Sequence, residues 1–362
     1  MTNPINLTDI LTYSARKRFL TCPKSFWFRY VKGLVGQSTE GALFLGSIFH
    51  SALEEWFTNH NPLVVKAHID AACIQRDQDD SIKQIWHYLT AMMRAYILRY
   101  REENFVVTGI EEEFEFPLTN PDTGRTSRHL ILAGRVDLCL RMKEDETYWL
   151  MEHKSASQIT SGYLDQLWQD PQIIGYCNAL EQERGIKVEG ILYDVVQKPS
   201  IRQHKGESEE EFNIRYAELC AKSKNGKSTA KRKIPESDEE FQNRLRLYYV
   251  ENPSLLHRSE ILLDRNMVAE MQRELWAFGQ LYLHVRRTDR WLRNRHACYE
   301  YGRKCVYMPA CNAITEDEFN QMIELYLEKK TPHQELTAGQ TAMTESDGGI
   351  RATDNDDDVV EF

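Results

Sequence analysis

Between residues 42 and 58, Gly46, Phe49, His50, Leu53, Trp56 and Phe57 recur at helical spacing. This predicts an amphipathic helix with His50 on its buried face, and a second helix over residues 81–101. From Phe105 the texture becomes strand-like, with β-branched and aromatic residues up to a turn signal at Asn120–Gly124. Runs at 129–142 and 147–155, separated by the polar stretch KEDE, predict an antiparallel hairpin. Residues 163–184 read as a helix containing Gln172 and Tyr176, and residues 188–198 as a buried strand. Helix, three strands, helix and strand together describe an α+β, or mixed α/β, core whose central sheet is covered by helices.

Beyond that strand the alternation stops. Residues 199–257 read as a charged helical insertion around AKSKNGKSTAKRK at 221–233, which holds six Lys or Arg and no acid. Residues 258–295 return to helix, and residues 331–362 are polar and acidic with scattered glycine, as disordered segments are. The chain thus divides into an N-terminal helical part (1–104), a core sheet (105–198), the insertion (199–257), a C-terminal helical part (258–330) and a tail (331–362).

The net charge of −10 changes meaning once it is placed along the chain. The tail carries eight acids against Arg351 alone, so residues 1–330 carry only −3. A near-neutral body can present a basic groove, because phosphate binding depends on local clustering. No apolar run is long enough to span a bilayer, and the first residues lack the basic start and apolar stretch of a secretory signal. A cytoplasmic protein is expected, with no membrane partner. Its eight cysteines are then not a disulfide framework. Cys73, Cys139, Cys177 and Cys220 stand singly among apolar neighbours and read as small buried hydrophobes.

Candidate chemistry sits on the hairpin. Asp137, in Gly134-Arg135-Val136-Asp137, lies on its first strand, and Glu152 and Lys154, in Glu152-His153-Lys154, on its second. Their neighbours are apolar, and buried carboxylates require a partner or a metal. Hard cations such as Mg²⁺ or Mn²⁺ are held by carboxylate oxygens and can polarise a phosphate and activate water. Lys154 lies two residues after Glu152, so strand alternation puts both on one face. An ordinary surface Glu–Lys pair would give the same spacing.

Four motifs follow one another in order: Gly46-Ser47-Ile48-Phe49-His50, Gly134-Arg135-Val136-Asp137, Glu152-His153-Lys154 and Gln172-Ile173-Ile174-Gly175-Tyr176. In this the chain resembles the RecB-like exonucleases of the PD-(D/E)xK superfamily. The resemblance implies a restriction-endonuclease-like core and a metal-dependent deoxyribonuclease acting on DNA ends in recombination, repair or phage replication. It also implies that His50, Asp137 and Glu152 bind the metal with the main-chain carbonyl of His153, that Lys154 is catalytic, and that Gln172 and Tyr176 lie by the DNA. A nitrogen ligand favours Mn²⁺ alongside Mg²⁺. The rival readings are a catalytically silent scaffold of the same fold that binds DNA or a helicase, and a zinc-bound structural protein.

Cys298, Cys305 and Cys311 lie close together, and Cys22, in Thr21-Cys22-Pro23, is the candidate fourth ligand from the far end. Four thiolates suit zinc or an iron-sulfur cluster, and spacing does not separate them. The resemblance favours a 4Fe–4S clamp, because the family pairs an N-terminal Cys-Pro with three cysteines after the nuclease core. The six residues between Cys298 and Cys305 depart from the family's shorter C-x-x-C.

The run from Arg286 to Lys304 interleaves Arg286, Arg290 and Arg293 with Trp291 and further aromatics. Basic side chains track phosphates and aromatics stack on unpaired bases. A solvated helix with inward-packed rings reads equally well. No Gly-rich phosphate loop of the helicase type is present, so any unwinding falls to a helicase or recombinase partner. The tail ends in an acidic cluster before Val359, Val360 and a terminal Phe362, resembling the tips of bacterial single-strand-binding proteins, although such acidic ends are also plain solubilising segments.

Overall fold

The computed structural model describes residues 9–336, apart from 38–40, 75–79, 169, 171, 173–174, 178–179, 182–184, 224, 301–302 and 334–335. The acidic tip of the tail lies outside the described residues.

The chain enters through strand β1 (Asp9–Leu11) and helices α1 (Tyr13–Thr21) and α2 (Pro23–Phe26), followed by β2 (Leu34–Gly36). Thr12 caps α1 by accepting the Ala15 N–H, and Pro23 opens α2, where its missing N–H costs nothing. Three helices come next: α3 (Gly41–Asn59), α4 (Pro62–Ile74) and α5 (Asp80–Arg99). The long strands β3 (Phe105–Thr119) and β4 (Thr126–Met142) and the shorter β5 (Tyr148–Ala156) form the predicted meander. Helix α6 (Ser161–Leu167) and further helical residues at 172, 175–177 and 180–181 lead into β6 (Val188–Gln197), which runs parallel to β5.

The segment expected as an insertion forms α7 (Glu209–Lys222) and α8 (Asp238–Glu251), each opened by a capping box, Ser208 with Glu211 and Ser237 with Glu240. Helix α7 buries no residue, whereas α8 sends Phe241, Leu245 and Tyr249 into the main core. After it comes a strand where the sequence pattern predicted helix: β7 (Leu256–Leu262), antiparallel to β6. Helix α9 (Arg265–Thr288) ends at Asp289 in the left-handed conformation. The short β8 (Tyr299–Glu300), β9 (Arg303–Lys304) and α10 (Met308–Asn312) follow. Helix α11 (Glu316–Tyr326) then leads to β10 (Leu327–Lys329), which pairs with β2.

The result is a mixed six-stranded sheet flanked by helices. It reaches beyond residues 105–198, because β1 and β7 come from the flanking parts of the chain. One face packs on α3, α4, α5 and α8 through Phe49, Leu53, Ile69, Met92 and Phe241. The other buries Phe114, Val136, Leu150, Tyr176 and Tyr193. Among the described residues no helix is long and apolar enough to cross a membrane.

Strand β4 decides where the site can be. Along one edge it pairs with β3 over nearly its whole length. The other edge is shared: β1 runs parallel beside Leu130–Leu132, and β5 antiparallel beside Leu138–Arg141. Residues 133–137 lie between these two partners, in a gap that opens the sheet's edge at Asp137.

Candidate active site

Pairing of β4 with β5 ends at Leu138 and Met151, so Asp137 and Glu152 are the first residues past the point where the strands part. That divergence strips the His153 N–H of a strand partner, and Asp137 supplies one: Oδ2 accepts it at 2.7 Å. In an extended strand the N–H and C=O of one residue point to the same side, so the His153 carbonyl also faces the β4 side. From α3, His50 brings Nδ1 to 3.5 Å from the same Asp137 oxygen. It lies at the lip of the cleft, half-buried, rather than deep on the helix's core face.

The third group was not visible in the sequence. Glu111 on β3 sits across from Asp137, between the register pairs Ile110–Leu138 and Glu112–Val136. A bulge at Val107–Gly109 precedes it, and its backbone is left-handed, with φ of 49°. A non-glycine residue held in that region is strained, and such strain collects at functional sites. Among the described residues, only His50, Glu111 and Asp137 bring three potential ligand atoms within 4.8 Å of one another.

Glu152 and Lys154 line the same cleft but face each other. Lys154 Nζ donates to Glu152 Oε1 and, at 3.2 Å, to Gln172 Oε1. The Gln172 amide donates to Glu152 Oε1 at 3.0 Å and to the Tyr176 hydroxyl at 2.9 Å. Tyr176 in turn explains the glycine of the second motif. A Cβ on Gly134 would stand 2.5 Å from the Phe114 ring and 2.8 Å from that of Tyr176, so both rings lie against bare backbone.

Electrostatics mark the cleft as short of positive charge. Burial and then Asp137 push Glu152 up to about 7. Burial and Asp137 likewise push Glu111 up to about 8, against the pull of Arg135, whose Nε lies 2.6 Å away. Burial would raise Asp137 too, but His50 and the hydrogen bonds from His153 and His50 hold it well below the usual carboxylate range. Three crowded carboxylates, two of them raised by burial and by the charge on the third, fit a bound divalent cation.

The family model of the PD-(D/E)XK nuclease superfamily matches residues 10–312, most of the chain. The chain belongs to the PD-(D/E)XK nuclease superfamily. This superfamily comprises metal-dependent nucleases, and the matched stretch includes the divergent β4–β5 hairpin that carries Asp137 and Glu152-His153-Lys154. A Eubacterium rectale protein provisionally named an exonuclease is similar at 9% identity, with 86% of this chain and 94% of that one covered and a TM-score of 0.42. A likeness that distant carries no argument, and the assignment rests on the family model. Among curated proteins none matches.

In this PD-(D/E)XK chain the four cysteines come from both ends and meet at one corner. Asn294 donates its N–H towards Cys22 Sγ at 3.4 Å and its side-chain amide to the Thr21 carbonyl at 2.8 Å. Cys305 N–H donates to the Cys298 carbonyl at 2.9 Å. Burial raises the Cys305 and Cys311 thiols, and Cys22 and Cys298 raise both further, so each of these two sulfurs lies within electrostatic reach of the other pair. They do not converge tightly enough for one small ion. A multinuclear cluster would hold its thiolates farther apart than a single ion does.

The basic run divides by location. Trp291 is stacked on Phe26 at 5.7 Å and belongs to the aromatic cluster with Phe19 and Tyr282, while Arg286 is paired with Asp9. Packing and ion pairing thus occupy two of the expected DNA contacts. Arg290 and Arg293 are exposed, and Arg293 lies near enough to Cys311 to act on its thiol.

Proposed function

We propose that the chain is a metal-dependent deoxyribonuclease that hydrolyses phosphodiester bonds at DNA ends, in recombination, repair or phage replication. The observation that carries this reading is the meeting of His50, Glu111 and Asp137 at the gap in the β4 edge, beside Glu152 and Lys154. His50, Asp137 and Glu152 would hold Mg²⁺ or Mn²⁺, joined by Glu111 and the His153 carbonyl. A divalent ion there supplies the Lewis acidity that polarises the scissile phosphate and eases deprotonation of the attacking water.

The chain's own groups do the rest. Burial lowers Lys154, but Glu152 and Asp137 outweigh it and raise the amine above its ordinary value. Lys154, donating to Glu152 and Gln172, would act as a hydrogen-bond donor and counter-charge to the phosphate. Gln172 bridges Glu152, Lys154 and Tyr176, keeping the pair registered on the substrate side. Exposed Arg290 and Arg293 contact phosphates further along the strand.

At the cysteine corner we place a structural 4Fe–4S cluster on Cys22, Cys298, Cys305 and Cys311. Its test is colour: the purified protein should absorb in the visible and bleach on reduction, which a zinc site would not do. Digestion of end-labelled single- and double-stranded DNA with Mg²⁺ or Mn²⁺ tests the activity. Stepwise shortening from an end is expected, and intact DNA under all these conditions would sink the reading.

A further inference from the structure

Beneath the cleft, on the sheet face turned towards α5, lies a line of buried polar side chains that take no direct part in holding substrate or metal. His153 on β5 and Asp194 on β6 are register partners, and Arg258 on β7 is the register partner of Asp194. Tyr96 of α5 spans the first two. Its hydroxyl donates to Asp194 Oδ2 at 2.6 Å and lies 3.1 Å from His153 Nε2. All three side chains are buried: Tyr96 is 0%, His153 2% and Asp194 1% exposed.

The chemistry of the line orders itself from its far end. Arg258 donates Nε to Asp194 Oδ1 at 2.6 Å and a terminal nitrogen to Oδ2 at 2.7 Å, and is itself clasped by both oxygens of Glu103. Held by Arg258, Asp194 accepts the hydrogen bond of the Tyr96 hydroxyl. The Tyr96 oxygen faces His153 Nε2 at 3.1 Å, and this contact fixes the plane of the ring. The opposite edge of that ring, Nδ1, stands 3.4 Å from Asp137 Oδ2, the oxygen that already receives the His153 N–H. Every contact of Asp137 falls on Oδ2, and Oδ1 makes no hydrogen bond among the described residues.

We infer that Asp194, Tyr96 and His153 form a positioning relay for Asp137, anchored by Arg258, which holds Oδ2 so that Oδ1 is presented to the cation. The inference rests on the metal-nuclease reading of the cleft and deepens it. A purely structural network would be expected to give way to apolar side chains at little cost, since buried charges are poor sources of stability. Groups one step behind a ligand commonly set metal affinity by orienting it.

Mn²⁺ binding to the full chain, measured by calorimetry without DNA, tests the relay. Tyr96→Phe and His153→Gln should each weaken Mn²⁺ binding about tenfold. For Tyr96→Phe the Mn²⁺ concentration for half-maximal DNA cleavage should rise by the same factor, while the rate at saturating Mn²⁺ changes little. Tyr249→Phe is the control, because it also removes one buried hydroxyl bond, to the Gln197 carbonyl at 2.7 Å, but lies off the relay. Unchanged Mn²⁺ affinity in both relay variants would overturn the inference, as would an equal loss in the control. A wild-type chain that binds Mn²⁺ without cutting DNA would end the nuclease reading and leave the relay standing. One that binds no Mn²⁺ would end both.

Discussion

The candidate active-site cleft and the cysteine corner are both built from polar groups brought together over long stretches of sequence, yet they are held in opposite ways. In the cleft, Glu152, His153 and Asp137 sit on sheet strands, and each is fixed by bonds to neighbours that are themselves fixed. At the corner the thiols are half-exposed, on short elements or between them, and the two chain ends are linked by the Asn294 bonds to Thr21 and Cys22 and by the Lys24 N–H bond to the Leu292 carbonyl, with no bond from one sulfur to another. The cleft is therefore preorganised by the fold, whereas the corner is a meeting place whose final geometry a cluster would impose.

That contrast can be broken most sharply at the cleft. Asp137→Ala, Glu152→Ala and Lys154→Ala should each lower DNA cleavage by about 100-fold or more without shifting the circular dichroism spectrum or the iron content. Near-normal cleavage by any of them would show that the cleft is not the reactive centre. At the corner the opposite split is expected. Cys22→Ala should lose iron and become prone to aggregate, while the fraction that stays folded cleaves at close to the normal rate. Iron analysis with a melting curve decides it, and full iron with unchanged melting would remove Cys22 from the clamp.

Glu111→Gln should weaken Mn²⁺ binding by at least about tenfold, whereas Glu113→Gln, two residues on along β3, should not, so calorimetry on the pair separates a ligand from general charge. A pH series sharpens the same point. Glu152 at about 7 and Glu111 at about 8 both lie above the ordinary carboxylate value of 4.5. Between 4.5 and 7 to 8 the folded chain therefore holds more protons than the unfolded one, and stability without metal should fall as pH rises through that window. Metal competes with those protons, so Mn²⁺ affinity should rise over the same range, by roughly tenfold per unit for each proton released. The smallest effect belongs to the tail. Deleting residues 331–362 should leave cleavage intact and tighten DNA binding at low salt, with the gain vanishing as salt is added.

Much of this was legible in the chain because it depends on local periodicity. Helix α3, the meander of β3, β4 and β5, and strand β6 lie close to their expected bounds, since each has an apolar face of the right period. What escaped depends on partners far away in sequence. Strand β7 carries Arg258 inward and so lacks a strand's apolar alternation; its charge is satisfied by Asp194 and Glu103, 64 and 155 residues distant. Glu111 was hidden in the run Glu111-Glu112-Glu113, whose facing a bulge reassigns. The one local hint was Gly109, a residue that weakens strands and often marks bulges. Helix α4 was missed as well, although Val65, Ile69 and Cys73 recur four apart on its buried face.

The pairing of the chain's beginning with its end has a consequence for how the molecule comes into being. Strand β1 finds its neighbour on β4 some way along, but Asn294 grips Thr21 and Cys22 across 273 and 272 residues, and β2 finds β10 at the far end. During synthesis the stretch from Thr21 to Gly36 must wait, without these partners, until residues 294–329 have left the ribosome. Contacts so distant in sequence make folding slow and expose intermediates to aggregation. The helices and meander between them can assemble early, so a nascent chain would carry the cleft before it carries the closure, and its vulnerability to proteases should concentrate at the amino terminus until the last segment arrives.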